Sequence, residues 1–302
     1  MGLNAALPVL VATLLAVATL SAAGGGKQPL KVGYYNGKHG GVEPIVRDEV
    51  YKTLNVDRSK GAASSASSST TAGSRVVMHP CSWNPSSKNP YPEKVAGSNI
   101  GLRAFDVIDK IKARLEAVYP GVVSCADILA FAARDATRYL SDGHIDYAVP
   151  SGRLDSVVSR AKDADDTLPS STGSFPDLKK NFGNKGFDVE ELVVLSGAHS
   201  IGVAHYPSFK DRLAAPQSEI DAKYQTALRN AAKNKSRTGA LQVRRVLRTD
   251  AFALSKLKEY RDKPKEWDSD FADAMVKLGK LLPAEGEGLL EIRKKCSAVN
   301  TY

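Results

Sequence analysis

Five histidines and three cysteines are the side chains of this sequence best suited to bind a metal or to carry covalent chemistry. An imidazole ligates a metal through one neutral ring nitrogen, and its other N–H needs an acceptor that fixes the tautomer and makes the ligand more electron-rich. By composition alone His199 is one of those five, and an isolated histidine is structural or exposed. Cys81, Cys125 and Cys296 form an odd set, so one thiol is left over after any bridge. Asp250 opens the stretch DAFALSKL, where an aspartate favours a helix N-terminus.

The elements that must position these groups read as helices. Phe105, Ile108, Ile111, Leu115 and Val118 recur at three and four, and Pro120-Gly121 ends the run. A second helix follows from Cys125 to Ala136, rich in alanine and apolar on most faces. Asp188, with Glu191 three residues on, forms a capping box for a helix over Val189–Leu195, which Gly197 disturbs. Phe271, Met275, Leu278 and Leu281 mark one more amphipathic helix. Strand-like alternation is sparse, so the fold is expected to be mainly α.

At 302 residues and 42% hydrophobic, the chain can bury a large core in one domain or in two closely packed halves. Residues 1–23 read as a signal peptide: an uncharged start, an apolar run from Leu7 to Leu20, then Ser21-Ala22-Ala23. A membrane anchor is the poorer reading, because Thr13 and Thr19 interrupt a short run that three glycines follow at once. Export puts residues 24–302 where disulfides persist. The net charge of +9 is spread among acidic residues with no aromatic-interleaved basic run, which argues against nucleic acid and for acidic extracellular polysaccharide. Asn234-Lys235-Ser236 has the pattern of a glycosylation acceptor. Residues 62–74, almost wholly Ser, Thr, Ala and Gly, read by composition as a flexible loop or linker.

Several long blocks share one resemblance. They are LKVGYYNGKHGGVEPIVRDEV (30–50), IGLRAFDVIDKIKARLEAVYPGVVSCADILAFAARDA (100–136), VPSGRLD (149–155), ELVVLSGAHSIGVAH (191–205), and FADAMVKLGKL with EIRKKCSAVN, ending at Asn300. In order and distance these blocks resemble the secretory class III plant haem peroxidases. The resemblance implies an all-α fold in two halves with haem b between them, a monomer, and oxidation of small phenolic donors by hydrogen peroxide. It makes His199, in SGAHSIG, the axial ligand of the haem iron, with Asp250 as the acceptor behind it. It assigns Ser200 to a proximal calcium site, although residues 231–249 leave little chain for the other ligands of that site. It pairs Cys125 with Cys296, pairs Asp127 with Arg153 in a buried ion pair, and places Pro169 at the edge of the donor channel. It also aligns Glu93 and Asn99 with residues that orient a catalytic histidine. Two family disulfides have no counterpart, since His39 and Tyr119 replace one pair and Tyr206 and Ala232 the other.

The distal side departs from the family. Peroxide cleavage needs a base and a cation, which the family supplies as a histidine and an arginine in a motif of the type Leu-Val-Arg-Leu-x-Phe-His-Asp-Cys-Phe. Residues 64–83 read SSASSSTTAGSRVVMHPCSW instead. Codons chosen to encode the family motif, CTC GTC CGC CTC ATC TTC CAC GAC TGC, give Ser64 to Ala72 when read one nucleotide later. Likewise GAT GCA TCC GTG TTC CTG, shifted, gives Met78 to Trp83. Two such matches at the required places point to a shifted reading frame. Arg75, His79 and Cys81 therefore do not stand in for the missing groups. The expectation is a haem-binding chain with no distal base or arginine, impaired in peroxide cleavage as written.

Overall fold

A computed structural model describes residues 29–58, 60, 85, 89–99, 103–170, 173–200, 203–204, 210–214, 216, 222–233, 238–239, 244–281 and 290–301. The expected signal peptide, residues 64–83 with Arg75, His79 and Cys81, Tyr206, and the Asn234 tripeptide lie outside the described residues. The chain divides into two units, Met1–Leu30 and Lys31–Tyr302, and the elements below all belong to the second.

Strand β1 (Lys31–Val32) leads into helix α1 (Val42–Val56), which buries Val42, Val46, Val50 and Leu54 at a spacing of four. Helix α2 (Phe105–Val118) adds Val107, Ile108, Ile111 and Leu115, and α3 (Cys125–Leu140) is buried over most of its surface. Together these helices form a first core. Each large aliphatic side chain taken from water into it contributes roughly 1.5–3 kcal/mol. Lys112 sits on the apolar face of α2, only 1% exposed, because Nζ donates to Glu116 Oε1 and to the Val123 carbonyl, both at 2.6 Å. α3 runs four residues past the expected Ala136 and stops where Asp142 and Gly143 take positive φ.

Short strands β2 (Pro150–Ser151) and β3 (Asp155–Ser156) follow, and β2 pairs antiparallel with β1. Then come α4 (Ala161–Thr167), α5 (Phe175–Gly183), α6 (Val189–Ser196), strand β4 (Val203–Ala204) and α7 (Ala222–Lys233). The chain continues through β5 (Thr238–Gly239), α8 (Arg244–Leu247), α9 (Ala251–Asp262), α10 (Pro264–Gly279) and β6 (Leu290–Glu291). β3 pairs with β6 and β4 with β5. A second core gathers Phe175, Leu178, Phe187, Leu192, Val193, Val194, Phe271, Met275 and Leu278. Tyr147 packs against both cores, so the expected two-half, mainly helical architecture is the one observed.

Candidate functional site

α6 is short but well defined at its start. Asp188 Oδ1 accepts from the Glu191 N–H at 2.8 Å, and Glu191 Oε2 accepts from the Asp188 N–H at 2.9 Å, the reciprocal box expected from sequence. Leu192, Val193 and Val194 drive the helix into the second core. At its other end the backbone tightens into a 3-10 turn, Gly197–Ser200, which carries His199. Leu195 and Ala198 are half-buried against the core, whereas His199 is exposed. The imidazole therefore stands on a turn anchored by apolar neighbours but is not folded among them. His144 is exposed as well, on the turn after α3.

α10 runs alongside α6 and holds both of its ends. Near the start of α6, Lys277 Nζ donates to both Glu191 carboxylate oxygens, at 2.6 and 2.7 Å. At the far end, Trp267 Nε1 donates to the Val194 carbonyl at 3.2 Å. Tyr260, on α9, places its hydroxyl 2.9 Å from Glu190 Oε1 and 2.7 Å from Asp270 Oδ2, and burial followed by those two carboxylates pushes the phenol pKa up.

Asp250 Oδ1 caps α9 by accepting from the Ala253 N–H at 2.9 Å, and its carboxylate faces an open groove with Asp188, Val189 and Glu190. The contact to Ala253 matches the helix-start reading of Asp250. Ser200 shares the turn of His199, and its side chain lies outside the described residues. Pro169 is half-buried in the connection from α4 to α5, just past Thr167, whose carbonyl accepts from Asn181 Nδ2 at 3.1 Å and Lys185 Nζ at 2.7 Å. Among the described residues no group of three or more His, Cys, Asp or Glu side chains is placed to hold a metal ion.

The first half is braced where it meets the second. Asp127, fully buried, accepts from Arg153 Nη1 at 2.7 Å, the Gly152 N–H at 2.7 Å and the Tyr35 hydroxyl at 2.8 Å. Arg153 Nη2 in turn donates to the Gly279 carbonyl at the end of α10. The ion pair thus joins α3 to α10 with the Asp127 carboxylate satisfied by several donors, the condition under which a buried pair is tolerated. Cys125 and Cys296 are bridged, with Cα atoms 5.6 Å apart. Beside them Asp155 accepts from the Cys125 and Ala126 N–H groups, both at 2.9 Å, and from the Arg293 N–H at 3.1 Å. That carboxylate satisfies the start of α3 and fixes the C-terminal segment in one step.

Two further pairs meet. Asn99 Nδ2 donates to the Glu93 carbonyl at 2.8 Å, and both residues are buried. His39 and Tyr119 meet edge to face with centroids 5.3 Å apart. Sequence reasoning missed Tyr35, Asp155, Lys277 and Trp267. Trp267 extends the Phe271–Met275 stripe by one turn, but only tertiary packing gives each of the four its partner.

These features define a mainly helical two-half protein whose second half presents an exposed histidine on a helix-end turn, and whose first half is locked by a disulfide and a buried ion pair. The profile of the peroxidase family matches residues 67–288. Peroxidase 2 of Zea mays is 35% identical over 334 residues, covering 97% of this chain and 96% of that protein. Peroxidase 5 of Vitis vinifera is 33% identical and Peroxidase 39 of Arabidopsis thaliana 32% identical, each covering 90% of this chain and, respectively, 92% and 93% of the relative. The chain belongs to the plant class III peroxidase family. The general function of that family is peroxidase, an oxidoreductase activity that uses hydrogen peroxide and a donor, and its members generally bind haem. No helix among the described residues is long and apolar enough to cross a membrane.

Proposed function

We propose that this chain is a secreted haem-binding peroxidase relative that takes haem b on His199 and, as written, cleaves hydrogen peroxide poorly. The observation that carries this reading is the placement of His199: an exposed imidazole on a turn whose apolar residues, Leu195 and Ala198, are fixed to the second core. A macrocycle needs such a ligand, backed by a rigid element. When bound, the haem supplies the redox chemistry of peroxide reduction. The protein supplies the axial nitrogen, the two braced halves, and a channel edge for small phenolic donors at Pro169. Asp250 serves as the cap of α9. Residues 64–83 do not carry the family's distal histidine and arginine, the groups that would take the proton from peroxide and stabilise its leaving oxygen. The proximal calcium site keeps Ser200, with residues 231–249 leaving little chain for its other ligands.

The test loads the expressed chain with haem and follows its absorption. A Soret band that disappears in His199→Ala, together with slow peroxide-dependent phenol oxidation, is expected. A second chain carries the family's distal motif over residues 64–83, and its peroxide reaction is expected to be about 10⁴-fold faster or more, the combined scale of acid–base and electrostatic assistance. No Soret band in the unaltered chain would refute haem binding, and fast peroxide cleavage by it would refute the impairment. A shifted reading frame over residues 64–83 would favour one further reading, that the natural product is a working phenol-oxidising peroxidase of the extracellular space or cell wall. Sequencing the transcript across codons 60–85 decides it, with Phe-His-Asp-Cys in an alternative frame as the supporting result.

A further inference from the structure

We infer that Trp267 is a positioning residue for His199, acting as a clamp on the turn that carries it. The inference rests on the reading of His199 as the haem ligand, but the clamp itself is visible in the protein alone. The indole edge lies directly on Gly197: a Cβ at that glycine would come within 2.6 Å of Nε1, 2.7 Å of Cζ2 and 2.8 Å of Cε2. No side chain larger than hydrogen fits there without displacing the ring. Nε1–H donates to the Val194 carbonyl at 3.2 Å, and the Gly197 N–H reaches the same carbonyl. Val194 is among the last carbonyls of α6, which lack partners further along the helix. Trp267 therefore takes part in ending α6 at the point where the backbone tightens toward His199.

The ring is itself held. It stacks on Phe271, one turn further along α10, with centroids 4.9 Å apart and planes at 28°, and Phe271 is 3% exposed in the second core. Ten residues along α10, Lys277 grips Glu191 near the start of α6. The two contacts differ in kind. Lys277 holds the far end of the helix through a half-exposed ion pair, whereas Trp267 abuts a glycine two residues from the imidazole. Loss of the first lowers stability without moving the turn. Loss of the second frees the turn and lets the axial nitrogen move.

Trp267→Phe keeps an aromatic ring on Phe271 and removes the N–H; Gly197→Ala drives a methyl group into the indole; Lys277→Gln loosens the other end of the same helix pair. Two measurements separate a clamp from general support. Amide exchange at residues 197–200, relative to residues 105–118, is followed in the haem-free chain, and the rate of haem transfer to an acceptor protein is followed in the loaded chain. Trp267→Phe and Gly197→Ala are each expected to speed exchange in the turn by about tenfold, the scale of one net hydrogen bond, and to speed haem release by a similar factor. Lys277→Gln is expected to lower the thermal midpoint and leave both rates within about twofold. If all three variants change exchange and haem release in proportion to their loss of stability, Trp267 is only a packing residue and the inference is overturned. Unchanged exchange in Trp267→Phe also overturns it. A chain that never takes up haem refutes the reading of His199, while the exchange data still decide the clamp.

Discussion

Removing either partner of the Asp127–Arg153 pair is expected to be costly, and to unequal degrees. In Arg153→Met the Asp127 carboxylate stays buried but keeps the Tyr35 hydroxyl and the N–H groups of Gly152 and Arg153. Three donors remain for one anion, which puts the loss near the lower end for a broken buried pair, about 3 kcal/mol. In Asp127→Ala the guanidinium, 2% exposed, keeps only the Gly279 carbonyl, and the Tyr35 hydroxyl loses its acceptor as well. That loss belongs at the upper end, about 5 kcal/mol, or a drop of roughly 10–20 °C in Tm for a chain of this size. The double variant Asp127→Ala/Arg153→Met buries no lone charge and should cost little more than the worse single, a coupling of about 3 kcal/mol. Urea unfolding of the four proteins, disulfide intact and followed by far-ultraviolet circular dichroism, measures all these values. Singles that add, or Arg153→Met costing more than Asp127→Ala, would refute the account of which charge depends on which.

Other outcomes follow from the same contacts. The double variant Cys125→Ala/Cys296→Ala, which opens a loop of 171 residues, should lose up to about 5 kcal/mol by loop-closure entropy, read as a fall in the urea midpoint. Asp188→Ala removes half of the capping box and should lower stability by about 1 kcal/mol, while Glu191 keeps Lys277. Burial, before any other cause, pushes the phenols of Tyr35 and Tyr147 above the usual range, so the folded chain keeps protons that the unfolded chain releases near pH 10. Stability should therefore fall as pH rises past about 10, and Tyr147→Phe should make that fall shallower in base titrations read by phenolate absorbance.

Periodicity found α2, yet it selected Val118, which is 53% exposed, and passed over Val107, which is 2% exposed. The stripe drifts at the helix end, where the neighbouring helix is no longer there to cover it. The capping box was legible because its two residues lie three apart and act on each other. The start of α9 was legible for the same local reason, and its Asp250 followed local chemistry to the cap. What spacing could not show were contacts made across the chain: Tyr35 with Asp127, Arg153 with Gly279, and the indole of Trp267 on Gly197. Leu281, counted in the last amphipathic stripe, lies beyond α10 and packs on the second core from the following segment, because an apolar side chain next to a helix end can reach the same cleft without helical backbone. His199 stood out through the motif around it, since an exposed histidine on a turn carries no periodic signature.

The bridge between Cys125 and Cys296 turns most of the second half into a closed covalent ring hung from the start of α3. A protease that cuts once between those cysteines releases nothing: the nicked protein keeps one mass on a non-reducing gel and separates into fragments only when a thiol is added. Limited digestion, compared with and without reductant, therefore reports whether each cut falls inside the ring or outside it.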